Sequence, residues 1–104
     1  MKILEFIKVA SKEEIPKGKM ISVNVNDKTI LLANIAGKVY AIDNKCTHRS
    51  CKLSSGKLEG ENVVCPCHKS VFSIKTGVVI NGPAKIPEKT YEVKEENSEL
   101  QIKI

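Results

Sequence analysis

The function of this chain is decided by two short segments, which read Cys46-Thr47-His48-Arg49-Ser50-Cys51 and Cys65-Pro66-Cys67-His68-Lys69-Ser70. Together they hold all four cysteines, both histidines and the single arginine of the 104 residues. Each segment places a thiol two or three residues before an imidazole, so each can bind one metal ion or one end of a metal cluster. The spacing indicates a metal centre built from two facing loops.

The rest of the chain alternates apolar and polar residues, which is typical of half-buried β-strands. Ile21, Val23 and Val25 show the pattern before the metal segments, and Leu100 and Ile102 show it after them. Short polar or glycine-containing turns separate the predicted strands, and they lie at 26–28, 36–38, 75–77 and 95–98. The pattern predicts an all-β fold, a sandwich or barrel of antiparallel strands.

The metal segments interrupt this strand pattern. We therefore predict a single domain over 1–104, with a base of residues 1–43 and 71–104 and a small inserted subdomain at about 44–70. Within the insert, a pair of short strands around Leu58 and Val63 would bring the two loops face to face.

Composition excludes several classes of protein. The formal net charge of +5 comes almost entirely from lysine, whereas readers of nucleic-acid bases also rely on arginine, so we expect no nucleic-acid partner. No stretch reaches the ~20 apolar residues that a membrane helix needs. Glu5 and Lys8 interrupt the N-terminal apolar residues, so we expect no signal peptide, a soluble protein and a cytoplasmic location. Cysteines in such a protein suggest metal before disulfides.

The residues alone leave three interpretations open. A zinc site also accepts two thiolates and two imidazoles, and would make the chain a zinc-stabilised interaction module. Two structural disulfides with unrelated histidines form an inert alternative. A [2Fe–2S] cluster, with two cysteines on one iron and two histidines on the other, is the third.

The pattern Cys-Thr-His…Cys-Pro-Cys-His closely resembles the signature of the Rieske iron–sulfur family. The resemblance is specific from about Val39 to Val93 and implies a Rieske-type β-sandwich or barrel with an inserted cluster-binding subdomain. It implies a [2Fe–2S] cofactor whose ligands are Cys46, His48, Cys65 and His68. Because two imidazoles replace two thiolates, the resemblance also implies a higher potential than in all-cysteine ferredoxins.

The same resemblance gives the other two cysteines a role. Cys51 and Cys67 fall where the Rieske subunits of cytochrome bc complexes carry a disulfide, so we expect a bond that clamps the two loops together. The alternative is two free thiols, since the cytosol is reducing.

Four further residues match positions around the cluster in Rieske proteins. Ser70 corresponds to a serine that donates its hydroxyl to a bridging sulfide. Phe72 stands where bc-type subunits have a tyrosine bonded to a ligand sulfur, and phenylalanine cannot donate that bond, so an intermediate potential is expected. Gly82 and Pro83 belong to a loop that would cover the cluster from a third side.

Two positions depart from the family pattern. Lys69 replaces a usual glycine, which predicts a somewhat different loop geometry. Arg49 replaces an apolar residue that docks in the quinol pocket of bc complexes. The loops instead carry a basic set, which we interpret as a docking face for an acidic redox partner, the alternative being an ordinary lysine-rich surface; the set is Lys45, Arg49, Lys52 and Lys69.

The resulting prediction is a one-electron carrier without catalytic residues of its own. Its expected partners are a reductase and a terminal oxygenase or another redox acceptor. Besides the zinc module, the small subunit of a larger redox enzyme, such as a nitrite reductase, remains an alternative.

Overall fold

The computed structural model describes residues 6–25, 27–45, 51–67, 69–82 and 84–103. The strands in these ranges are β1 (Phe6–Ser11), β2 (Met20–Val25), β3 (Lys28–Ile35), β4 (Lys38–Asp43), β5 (Lys57–Glu59), β6 (Asn62–Val64), β7 (Val71–Ser73), β8 (Val79–Asn81), β9 (Thr90–Glu96) and β10 (Glu99–Lys103). The helices of the described ranges are single 3-10 turns at Lys12–Glu14 and Leu53–Ser55. None of them has the length or apolar character to cross a membrane.

The strands form two antiparallel sheets. The larger sheet has six strands in the order β1-β10-β9-β4-β3-β2, and the smaller sheet has four in the order β5-β6-β7-β8. The two edge strands of the larger sheet, β1 and β2, come back into contact, so this sheet is nearly closed. The all-β architecture predicted from the sequence is confirmed.

Strand β3 is the centre of the molecule because both of its faces are buried. Ile30 and Leu32 face the interior of the larger sheet and pack with Leu100 and Ile102. Leu31 and the other alternate residues face the opposite way, into a second core that lies between the two sheets. The smaller sheet contributes Val63, Cys65, Phe72 and Ile74 to this second core, all of them at most 1% exposed. One strand thus supports the core of both sheets.

The predicted turns join the strands that they were expected to join. Gly77 shows why glycine is needed in one of them, since its φ is +79° and a Cβ atom there would collide with the carbonyl oxygen of Glu88. The same pair is hydrogen-bonded, with the Glu88 N–H donating to the Gly77 oxygen at 2.8 Å. This contact ties the chain that leaves the smaller sheet to the β7–β8 hairpin.

The boundary between the two sheets does not fall at residue 70, where we predicted that the inserted subdomain ends. Strands β7 and β8 pair with β6 and with each other, not with the larger sheet. The smaller sheet therefore extends through residue 81. The boundary at residue 70, understood as the limit of a folding unit, stays a prediction.

Candidate metal centre

The second cysteine segment is a tight loop between β6 and β7. The Cys65 N–H donates to the Ser70 carbonyl at 2.7 Å, and the Lys69 N–H donates back to the Cys65 carbonyl at 3.0 Å. These two bonds hold Cys65 and Ser70 side by side at the base of the loop. The Cys65 side chain is buried and its thiol is free, whereas Pro66 and Cys67 are exposed. His68 lies outside the described residues.

The first segment begins and ends at an antiparallel bridge between Lys45 and Lys52. This bridge closes a loop that follows β4 and precedes the 3-10 turn Leu53–Ser55. Cys46, His48 and Arg49 lie in this loop and outside the described residues. The structure therefore describes the two ends of the loop, Lys45 on one side and Cys51 with Lys52 on the other.

A disulfide between Cys51 and Cys67 links the two loops, with 6.4 Å between the Cα atoms. The Cys65 sulfur lies close by, because the sulfurs of Cys51, Cys65 and Cys67 are all within 4.8 Å of one another. Within the described ranges Cys65 is the free cysteine. The two segments are thus brought together, as their spacing predicts.

This arrangement fits a cluster that takes two thiolates and two imidazoles. Because Cys51 and Cys67 are bonded to each other, Cys65 is the described cysteine that can still bind metal, and the sequence adds one further cysteine and two histidines in the same two segments. The chemistry of the remaining donors is that of a mixed cysteine–histidine [2Fe–2S] site. Cys65 itself is shielded from water, with 1% of its surface exposed.

Ser70 connects the second loop to the loop that follows β8. Its side chain is fully buried, and its hydroxyl oxygen accepts the Ala84 N–H at 3.0 Å. The hydroxyl hydrogen remains available to donate elsewhere. Gly82 is exposed and Pro83 lies outside the described residues, so Ala84 is the described contact between these loops.

Phe72 is fully buried in the core between the sheets and pairs across strands with Val63. Core packing, the simplest role for this ring, is therefore present in the structure. Its predicted influence on the potential stays a prediction.

Lys69 adopts a backbone conformation that glycine favours, with φ at +61°. Although the residue is lysine and not the family's usual glycine, its backbone therefore lies in the left-handed region. Our prediction of a somewhat different loop geometry stays a prediction. The lysine side chain is exposed.

The predicted basic face is exposed wherever it is described. Lys45, Lys52 and Lys69 all point to solvent, and none forms an ion pair with another described residue. Lys45 and Lys52 are directly opposite each other in the bridge that closes the first loop. Like charges in such a position repel each other.

Two polar contacts beside the first loop were not predicted from the sequence. Asn44 is fully buried and bonds to Ser54 across the loop's ends. The Tyr91 hydroxyl donates to the Asp43 carboxylate at 2.5 Å. Burial of the ring, and then the neighbouring Asp43 carboxylate, raise the pKa of Tyr91 above its ordinary value. An asparagine directly after a buried strand was the available signal for the first contact, because asparagine often bonds nearby backbone.

Similarity to known proteins agrees with this geometry. The family model of the Rieske [2Fe-2S] domain matches residues 5–92. The ferredoxin component of the naphthalene 1,2-dioxygenase/salicylate 5-hydroxylase systems of Ralstonia sp is 39% identical over 99 residues, covering 95% of both chains. The predicted [2Fe–2S] cofactor is confirmed by the family match.

Solved structures show the same fold. A ferredoxin of Sphingomonas yanoikuyae B1 superposes with a TM-score of 0.91 at 29% identity, covering 96% of this chain and 99% of that chain. A chain from a complex of reduced oxygenase and oxidized ferredoxin in carbazole 1,9a-dioxygenase superposes with a TM-score of 0.89 at 27% identity, covering 94% and 92%. The predicted Rieske fold is therefore confirmed.

Proposed function

This chain belongs to the Rieske [2Fe–2S] domain family, and from that premise we propose that it is a one-electron carrier, the ferredoxin component that supplies a terminal oxygenase. The observation that carries the proposal is the extent of its similarity to a ferredoxin component, which covers 95% of both chains. The chain thus corresponds in length to a carrier of this kind. A reductase is the proposed electron donor.

The proposed ligands are the thiolates of Cys46 and Cys65 and the imidazoles of His48 and His68. The disulfide supports this set, because it removes Cys51 and Cys67 from the available donors. When bound, the cluster supplies a one-electron couple at about −150 to +300 mV, compared with about −400 mV for plant-type all-cysteine clusters. The chain contributes two buried residues to this loop, Cys65 and Ser70.

Spectroscopy and metal analysis test the cofactor and its ligands. We expect two irons and two sulfides per chain, a red-brown colour and, after reduction with dithionite, a rhombic EPR signal. The average g value should lie below that of all-cysteine [2Fe–2S] proteins. A colourless, EPR-silent protein that contains zinc after expression in iron-replete medium would instead establish the interaction module.

The basic face is the proposed docking surface for an acidic partner. Its support is the exposure of Lys45, Lys52 and Lys69 and the like-charge pair at the Lys45–Lys52 bridge. Opposed like charges are destabilising, and an acidic partner would relieve that repulsion. Arg49 belongs to the same proposal on sequence grounds alone.

Charge reversal tests this surface. We expect the triple change of Lys45, Lys52 and Lys69 to glutamate to slow electron transfer to the terminal oxygenase at least about tenfold at low salt, with the difference shrinking as salt rises. A control with the same change in net charge replaces three exposed lysines near the opposite end of the β3–β4 hairpin, Lys17, Lys19 and Lys38. Equal rates for the two variants would rule out the basic face as the docking surface.

We also propose a cytoplasmic location and an oxidised Cys51–Cys67 pair in the cell. The disulfide in the structure supports the second part. A disulfide in the cytoplasm is unusual, because cytosolic disulfides persist mainly in hyperthermophiles, so the location and the oxidation state have to be tested together. Alkylation of thiols at the moment of cell lysis, followed by peptide mapping of the cytosolic fraction, tests both together. Alkylated Cys51 and Cys67 in that fraction would refute the oxidised pair.

A further inference from the structure

We infer that Asn44 is a positioning residue that closes the neck of the first ligand loop and thereby fixes how that loop presents its ligands. The inference rests on the proposed function, since it takes the loop after Asn44 to be a ligand loop. Asn44 lies outside the proposed ligand set and outside the proposed docking face.

Four hydrogen bonds converge on this one residue. The side-chain Oδ1 accepts the Ser54 N–H at 2.7 Å, and the side-chain Nδ2 donates to the Ser54 hydroxyl at 3.0 Å. The backbone carbonyl of Asn44 accepts the Leu53 N–H at 2.7 Å, and its N–H donates to the Thr29 carbonyl at 2.9 Å. Every polar group of Asn44 therefore has a partner.

These bonds join the two ends of the loop and attach them to the larger sheet. Thr29 belongs to β3, and Leu53 is fully buried in the core between the sheets. The described ends of the loop that carries Cys46, His48 and Cys51 are consequently anchored to the larger sheet. A ligand loop held at a fixed neck has fewer conformations to lose when metal binds.

The chemistry of the neck requires an amide. One end of the side chain accepts a hydrogen bond while the other end donates one, and both are shielded from water, with Asn44 at 0% exposure. Alanine offers neither function, and aspartate lacks the donor and would bury a charge. The position is therefore occupied by a residue that satisfies both bonds without charge.

The chain contains a matched control in Asn34. That residue is also buried, at 3% exposure, and its side chain also makes two bonds, to the Ile15 carbonyl at 2.7 Å and from the Gly37 N–H at 2.9 Å. It lies near the β3–β4 turn, whereas Asn44 follows the other end of β4. Asn34→Ala thus removes a comparable buried amide far from the ligand loops.

The test compares iron release and spectroscopy in purified, cluster-loaded full-length variants. With a ferrous chelator present, we expect Asn44→Ala to lose iron about tenfold faster than wild type, since changes behind metal ligands commonly cost about 10- to 100-fold. We also expect altered g values and visible circular dichroism. Asn34→Ala should keep the wild-type spectra and the wild-type rate of iron release, even if its melting temperature falls as far as that of Asn44→Ala.

Ser54→Ala gives a graded second variant, because it removes the bond to the hydroxyl and keeps the bond to the Ser54 N–H. It should fall between wild type and Asn44→Ala, and it remains informative if Asn44→Ala does not fold. The inference would be overturned if Asn44→Ala and Ser54→Ala had the same release rates and spectra as Asn34→Ala. In that case the wild type would still show its cluster, and the proposed function would stand. A wild type without a [2Fe–2S] cluster would overturn the proposed function and the inference with it.

Discussion

The two sheets reach stability by different means. The strands of the larger sheet have five to eight residues and enclose a core of their own. Each strand of the smaller sheet has three residues, which is near the lower limit for strands in globular proteins. Its buried apolar residues, Val63 and Phe72, face a core completed by β3 of the larger sheet.

The smaller sheet is therefore held by its neighbours and by covalent links. The Cys51–Cys67 bond joins the two loops at one end of it, and the proposed cluster would join them again. Long paired strands stabilise the larger sheet, whereas cross-links between the cysteine loops help to stabilise the smaller sheet.

Removal of a ligand should have the largest effect. We expect Cys65→Ser to abolish cluster assembly, measured as iron and sulfide content, because one of the two proposed thiolates is lost. The far-UV circular dichroism of the larger sheet should persist. The double variant Cys51→Ser/Cys67→Ser, which leaves the proposed ligand set intact, should still acquire iron. Full iron content in Cys65→Ser would show that the ligand assignment is wrong.

Removal of the disulfide tests the contrast between the sheets directly. Its cysteines are 16 residues apart, and a loop of that size contributes about 3 kcal/mol to the free energy of unfolding in the chain-entropy model. For Cys51→Ser/Cys67→Ser we expect this loss, with amide protection from hydrogen exchange falling in β6 and β7 and persisting in β3.

A core variant gives the opposite pattern. Leu32 is fully buried inside the larger sheet, so Leu32→Ala should cost about 2–5 kcal/mol. Its loss of amide protection should be centred on the larger sheet. A uniform loss of protection in both variants would contradict the division of labour between the sheets.

A smaller effect, on the reduction potential, is expected when a hydroxyl is introduced at position 72. Phe72→Tyr should raise the reduction potential by about 40 mV, the one-electron equivalent of about 1 kcal/mol for one hydrogen bond to a ligand sulfur. Redox titration followed by visible absorbance measures the shift. Phe6→Tyr, on the edge strand of the larger sheet, is the matched control and should leave the potential unchanged. An unshifted Phe72→Tyr would mean that the hydroxyl does not reach the sulfur.

The smallest effect concerns the backbone of the second loop. Lys69 has a φ of +61°, so Lys69→Gly should relieve strain and stabilise the protein by about 0.5 kcal/mol after the entropy cost of glycine. Lys69→Ala removes the same charge and keeps the Cβ atom, so it should bring no gain in chemical denaturation. Equal stabilisation by both variants would assign the effect to charge.

Local features of this fold were predictable from the sequence and long-range features were not. The turns around Asp27, Gly37 and Gly77 were predicted correctly because turn residues act within a few positions. The pairing of β1 with β10, and the inclusion of β7 and β8 in the smaller sheet, depend on distant partners. Strand periodicity carries no information about which strands become neighbours.

The same distinction applies to the metal centre. The spacing of cysteines and histidines predicted that the two loops meet, and the family resemblance implied the Cys51–Cys67 bond, which the structure contains. The neck at Asn44 and the bond from Tyr91 to Asp43 were missed, since each depends on a tertiary contact. Lys69 occupies the left-handed region, which a lysine can do at modest cost, and the predicted difference in loop geometry stays a prediction.

The pairing of β1 with β10 also bears on how the chain folds during synthesis. Strand β1 is an edge strand whose hydrogen-bonded neighbour is β10, so that Phe6 lies opposite Lys103. The larger sheet therefore cannot close until β10 has been synthesised and has left the ribosome. All four cysteines precede β10 in the sequence, so they leave the ribosome before it, and oxidation and metal delivery can begin while the larger sheet is still open.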